Sequence, residues 1–320
     1  MRLDTIDIQD KKTELTGLSK EEALSIALNM PLHELFCLAS GLRETFRGRK
    51  VDLCSIVNAK SGACSEDCSY CAQSARYPTE VEVYPLLPKE RILEAALSAK
   101  ENGAKRFCVV TSGRKPTPKE LGRIAEAIGE IKAIGLLPCA TLGILTRQEL
   151  QLLKDAGLYR YHHNLETSER FFPEVCTTHS YRDKISTIEA AREVGLSVCS
   201  GGIFGLGETW QDRIDMAFTL KDLQVDSVPI NFLIPIKGTP MEARKKLHPF
   251  EALRIVAVYR LVLPDRQIRI CGGRLQTLGP FNSMVFMAGA DGLLIGNYLT
   301  QRGCSVEEDW QIIRAYGLEA

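Results

Sequence analysis

Three cysteines stand within eight residues, Cys64, Cys68 and Cys71, in the run GACSEDCSYC. Thiolates are the usual protein ligands of iron–sulfur clusters. Three of them can hold three irons of a four-iron cube and leave the fourth iron open to another ligand. Two other readings compete. Positions i, i+4 and i+7 also share one face of a helix, and buried cysteine is common. Cys68-x-x-Cys71 could also be half of a zinc site. Against these, the intervening Ser65, Glu66, Asp67, Ser69 and Tyr70 do not suit a buried helix, and no second Cys-x-x-Cys completes a zinc site.

Such a group needs a scaffold. A strand-like run followed by a helical one recurs along the chain. The strand runs are 50–58, 106–113, 137–143, 159–166, 197–207, 227–235, 267–273 and 292–298. The helical runs are 90–103, 119–134, 146–156, 181–194, 209–223, 250–263 and 277–290. Gly103, Gly135, Gly157 and Gly195 stand where a left-handed residue closes a helix. Regular β-α alternation means a parallel sheet. Eight units predict a closed (β/α)8 barrel over residues 50–320, preceded by a helical extension over 1–49 and ending in a C-terminal helix. A doubly wound open sheet is the alternative. Barrel active sites lie at the C-terminal ends of the strands, and the cysteine triplet directly follows the first strand.

Five further cysteines, Cys54, Cys108, Cys139, Cys199 and Cys271, fall a few residues before the ends of strands one, two, three, five and seven. A barrel interior is ordinarily Val, Ile and Leu, so five thiols at matching heights converge on one volume. Strand alternation puts Arg269 on the face of Cys271, and Ile268 and Ile270 on the other. A guanidinium pointing into the barrel needs compensation, which an anionic iron–sulfur cluster would supply. The fourth strand is too polar to be covered on both faces. His162, Asn164 and Glu166 occupy one face and should line a site; Tyr161, His163 and Leu165 occupy the other. The run CSGGIFGLGE, with Gly201 and Gly202, lets backbone approach a ligand closely, or simply turns from strand to helix. Asn231 is a lone amide in an apolar strand and needs partners. Cys37, Cys176 and Cys304 match no motif and read as structural.

Composition bounds these readings. A 320-residue chain with 45% hydrophobic residues can fill a core. Forty basic and forty acidic side chains cancel, which argues against a nucleic-acid binder working through a strong basic field. No window is apolar enough to span a membrane. The first residues mix acids and bases without an apolar run, so the expected location is the cytoplasm. Eleven cysteines in a reducing compartment suggest metal or catalysis rather than disulfides.

The spacing C-x3-C-x2-C, with an aromatic residue before the last cysteine, resembles the signature of the radical S-adenosylmethionine superfamily. The segments AKSGACSEDCSYCAQSARY, RFCVVTSG, CATLGIL, YHHNLETS, CSGGIFGLGET, VPINFLIPIKGTP and IRICGGR resemble the biotin synthase family, in that family's order, from about Val51 to about Asp309. The resemblance implies a TIM-type barrel and insertion of sulfur into dethiobiotin. It implies a 4Fe–4S cluster on Cys64, Cys68 and Cys71 that cleaves S-adenosylmethionine to a 5′-deoxyadenosyl radical. It implies an auxiliary 2Fe–2S cluster on Cys108, Cys139, Cys199 and Arg269 that donates the sulfur. By the same resemblance Asn164 and Glu166 contact S-adenosylmethionine or substrate, and Lys184 stands where arginine usually meets the methionine carboxylate. Gly201 and Gly202 fall beside the cofactor and Tyr70 near its adenine. His162 replaces the usual asparagine at a substrate position, Asn231 meets the ureido ring of dethiobiotin, and Thr300 meets its carboxylate tail. The chain departs from the family at Cys54 and Cys271, where better-known members carry serine; added thiolates could hold a four-iron auxiliary cluster. A flavodoxin or ferredoxin reductant and a homodimer are also implied. The rivals are a maturase or mutase on the same barrel, which would not need the strand cysteines, and a non-catalytic iron–sulfur carrier, which would not need Asn164, Glu166 and Asn231.

Overall fold

The computed structural model describes residues 17–296 and 303–320. Thr300 lies outside the described residues. Nine short strands run in chain order: β1 (Asp52–Lys60), β2 (Arg106–Thr111), β3 (Leu137–Thr141), β4 (Arg160–His162), β5 (Ser197–Cys199), β6 (Gly202–Phe204), β7 (Ser227–Phe232), β8 (Gln267–Ile270) and β9 (Gly292–Leu294). Every pairing is parallel, from β1 through β5, then β7 to β9, and β9 returns to β1, so the sheet closes. β5 and β6 are two pieces of one barrel position, because both pair with β7. The architecture is the closed eight-position barrel that the β-α alternation predicts.

The break between β5 and β6 has a steric cause. A Cβ on Gly201 would lie 2.1 Å from the Pro229 carbonyl oxygen, and one on Gly202 would lie 2.4 Å from that of Glu166. The chain passes between two backbones too closely for any side chain. The fourth strand is shorter than the alternation over 159–166 suggests: it ends at His162, and Glu166 adopts a left-handed conformation. The run 277–290 is not one helix. A short helix, Arg274–Leu278, gives way to a 3-10 turn over Gly279–Val285, because Gly279 has φ 50° and Pro280 has no N–H to continue the ladder.

Capping boxes start most of the outer helices, for example at Thr117, Thr146, Ser180 and Thr209. The helix Pro249–Val262 is buried almost all round. Its outer face is covered by the helices Lys20–Asn29 and Leu32–Arg47, which explains a helix without a polar stripe. The C-terminal helix Val306–Ala315 is held by a fully buried ion pair, Arg274 to Asp309 at 2.8 Å. Among the described residues no helix is long and apolar enough to cross a membrane.

Candidate active site

At the C-terminal ends of the strands lies a cavity of about 420 Å³. Eight cysteines line it: the triplet Cys64, Cys68 and Cys71, and the five strand cysteines Cys54, Cys108, Cys139, Cys199 and Cys271. All eleven cysteines of the chain are unpaired.

The triplet sits on an irregular loop, not a helix face. Its ends are tied by Cys64 N–H to the Gln73 carbonyl at 3.0 Å and Ala75 N–H to the Cys64 carbonyl at 2.8 Å. The three sulfurs remain half-buried and face the cavity. What fixes the loop is a segment the sequence reading passed over. Asp67 accepts from the backbone of Thr177 and Thr178 at 2.9 and 3.2 Å, from the Thr177 hydroxyl, and from the Cys176 thiol at 3.2 Å. Glu66 accepts from Thr178 Oγ1 at 2.8 Å and pairs with His179 Nδ1 at 2.6 Å. Although burial acts the other way, these hydrogen bonds hold the Asp67 carboxyl well below the usual carboxylate range. Cys176, which matches no motif, is one of three side chains, with Cys68 and His179, whose ligand atoms lie within 4.8 Å of one another. The signal available in the sequence was the pair of acids between the cysteines, which must find donors, and the donor-rich run Thr177-Thr178-His179.

The five strand cysteines form a lower chamber. Cys108 and Cys139 are register partners on neighbouring strands. Cys54, Cys108, Cys139 and Cys271 pack together with Val110 and Leu294. Cys271 stands one residue beyond β8. Burial raises the thiols of Cys54, Cys108 and Cys271 and pushes Cys139 up to about 12. Cys199 differs: although burial works against it, His162, Arg269 and Arg160 hold it down to about 6. Arg269 points inward as the alternation requires, while Ile268 and Ile270 join the outer core. Its guanidinium is already engaged, donating through Nη2 to Asp52 and to Gln267 at 2.9 Å, and its Nε has no partner.

Above the chamber lie the polar groups. Asn164 accepts from Gly201 N–H at 3.2 Å and donates to Glu166 at 3.4 Å; Lys184 Nζ is 3.7 Å from Glu166. Tyr70 lines the cavity, its hydroxyl pushed up by burial and by Glu166. His162 faces the cavity, and so does His163, which strict alternation puts on the other face; the strand has ended by that point. Asn231 donates to the Gly202 carbonyl at 3.1 Å and accepts from Gly272 N–H at 2.9 Å, so the backbone takes half of its capacity. Gly201 and Gly202 are not among the cavity-lining residues. Their lack of a side chain admits the close approach of the Pro229 and Glu166 backbones.

The chain matches the radical SAM superfamily over residues 59–220 and the biotin and thiamin synthesis associated domain over residues 229–319. It is 55% identical over 288 residues to the biotin synthase of Thermodesulfovibrio yellowstonii, covering 90% of this chain and 91% of that one. The chain belongs to the biotin synthase family. It is 46% identical to another member, from Geotalea daltonii, covering 99% of this chain and 98% of that one. Among solved structures, methylornithine synthase superposes with a TM-score of 0.84 at 22% identity, over 98% of this chain and 97% of that one. The FeFe-hydrogenase maturase of Carboxydothermus hydrogenoformans superposes with a TM-score of 0.81 at 21% identity, over 97% of this chain and 77% of that one. These two likenesses establish the barrel alone. Family membership brings a 4Fe–4S cluster, S-adenosylmethionine and an auxiliary iron–sulfur cluster. The donors fit. Three cavity-facing thiols on a pinned loop suit an open-iron cube, and five buried thiols beside a guanidinium with a free Nε suit a second, anionic centre.

Proposed function

We propose that the two thiolate sets divide the work of a biotin synthase within one cavity. As a member of that family, the chain is an enzyme that inserts sulfur into dethiobiotin to form biotin. The observation that carries the division is that all eight cysteines face the same space, three at the mouth and five below. When bound, the clusters and S-adenosylmethionine supply the electron, the hydrogen abstraction and the sulfur.

The chain's own residues bind, orient and exclude water. Cys64, Cys68 and Cys71 would hold the mouth cluster, on a loop that Glu66 and Asp67 anchor. Lys184, paired with Glu166 and buried, offers a point charge to the carboxylate of S-adenosylmethionine. Tyr70 offers a ring face to the adenine of the same cofactor, and Asn164 and Glu166 are hydrogen-bonding partners lining the cavity. Asn231 keeps one N–H and one lone pair beyond its backbone bonds, which suits a ureido group. His162 is the register partner of Cys199 on the neighbouring strand and lines the same cavity. The apolar side chains of Ile56, Val110 and Leu294 line the lower wall and keep water from the chamber.

Cys108, Cys139 and Cys199 would hold the auxiliary cluster, with Cys54 and Cys271 as additional thiolates. A guanidinium keeps its protons and is a poor iron ligand. Arg269 is committed to Asp52 and Gln267, so its role is that of a counter-charge. With four or more thiolates available, the auxiliary centre is of a four-iron type. An external flavodoxin or ferredoxin delivers the electrons, and eleven unpaired cysteines call for a reducing compartment such as the cytoplasm. Reconstituted without oxygen and given reductant and S-adenosylmethionine, the protein converts dethiobiotin to biotin and releases 5′-deoxyadenosine. Deoxyadenosine release with dethiobiotin recovered intact would refute the substrate assignment.

A further inference from the structure

A second cavity, of about 360 Å³, opens at the opposite end of the barrel, at the N-terminal ends of the strands. Six basic side chains line it, Arg47, Lys50, Lys105, Arg106, Arg160 and Arg266, against four carboxylates. Three of the carboxylates are paired with Arg47, Arg106 and Arg266, and the fourth, Asp226, accepts from Val198 N–H and Ser197 Oγ. Lys50 and Lys105 are exposed at this end and enter none of the ion pairs among the described residues. Arg106 keeps a buried Nη1 without a partner. The lower cavity therefore carries more basic than acidic side chains and opens to solvent.

Only a layer of polar side chains separates it from the cysteine chamber. Arg106 donates to Asp52 at 2.8 Å, Asp52 accepts from Arg269, Arg269 donates to Gln267 at 2.9 Å, and Arg160 donates to the same Gln267 oxygen at 2.8 Å. Arg160 lines both cavities. An interior barrel layer is ordinarily apolar and closes the barrel; this one is polar, three guanidiniums held by Asp52 and Gln267, with Arg106 Nη1 and Arg269 Nε left without partners. Elsewhere the chamber is reached through the mouth, where substrate and S-adenosylmethionine must sit.

We infer that the lower cavity is a second entrance to the cysteine chamber, taking hydrosulfide, a small inorganic anion, to the auxiliary centre that sulfur insertion depletes. The inference rests on the sulfur-insertion reading above. It concerns binding and passage only. A route from below lets sulfur return while the mouth remains filled.

The test uses protein whose auxiliary centre has been spent in one turnover. It is kept anaerobic with ferrous and ferric iron, the latter supplying the ferric equivalents of the rebuilt centre, and with S-adenosylmethionine and dethiobiotin, without reductant, and is then given hydrosulfide. The readout is the regrowth of visible cluster absorbance together with protein-bound sulfide. The parent should regain the signal with the mouth filled. Lys50→Glu/Lys105→Glu should regain it about 3- to 10-fold more slowly at low ionic strength, with the gap closing at high salt, as electrostatic steering requires. Lys50→Arg/Lys105→Arg should match the parent, and all three proteins should melt alike, since both lysines are exposed. The inference is overturned if the charge-reversed protein recovers at the parent rate, or if the parent recovers only after S-adenosylmethionine and dethiobiotin are removed. Equal regrowth in Cys139→Ala would instead overturn the chamber reading, and the entrance with it.

Discussion

Replacing Asp67 by alanine removes the carboxylate that ties the cysteine loop to residues 176–179. Four donors converge on it, the N–H groups of Thr177 and Thr178, the Thr177 hydroxyl and the thiol of Cys176. A hydrogen bond to a charged group contributes about 1.5–3 kcal/mol when its partner is buried, and less where water replaces it. Thr177 is exposed and Thr178 and Cys176 are not, so a net loss of about 2–4 kcal/mol is expected. For a chain of this length the unfolding entropy is roughly 0.7 kcal/mol per degree, so the melting temperature of cluster-free protein should fall by about 3–6 °C. Asp67→Asn should lose a similar amount at neutral pH. The sign with pH follows from the depressed carboxyl. Its contribution is fully present above the unfolded value of about 4 and is lost as pH falls through the folded value, so the parent and Asp67→Asn should converge in strong acid. Scanning calorimetry measures the first effect, and iron retention by the Cys64, Cys68 and Cys71 site measures its functional consequence. A melting shift below about 1 °C with unchanged iron retention would refute the clamp.

Three other outcomes follow from the geometry. Cys68→Ala should abolish cleavage of S-adenosylmethionine, whereas Cys139→Ala should spare cleavage but prevent sulfur insertion; parent-rate biotin formation by both variants contradicts the division of labour. Fully loaded protein should contain about eight irons per chain by iron analysis with Mössbauer spectroscopy, and about six with a 2Fe–2S signal would show that Cys54 and Cys271 are not ligands. Gly202→Ala puts a methyl 2.4 Å from the Glu166 carbonyl oxygen and 2.7 Å from the end of Met216. It should cost about 2–3 kcal/mol in a thermal or denaturant melt and raise KM for S-adenosylmethionine by displacing Glu166.

The sequence by itself determined a parallel sheet, because β-α alternation with short glycine-closed connections leaves parallel pairing as the arrangement that buries both sheet faces; eight units pointed to a barrel, and the β9–β1 pairing decided it over an open sheet. It also determined the two cysteine sets and the inward direction of Arg269, since a strand's period of two is a local property. Alternation failed where the strand itself failed. His163 reaches the cavity because β4 stops at His162. Gly201 and Gly202 read along the chain as a close backbone approach or a turn, and only the folded packing shows Pro229 and Glu166 against them. The anchoring of Glu66 and Asp67 by Thr177, Thr178 and His179 joins residues more than a hundred positions apart, and no local pattern encodes that distance. The lower cavity depends on six basic residues from separate segments meeting at one end of a closed sheet. Each is an ordinary basic residue in its own segment, and only closure of the barrel turns them into a single positively charged opening.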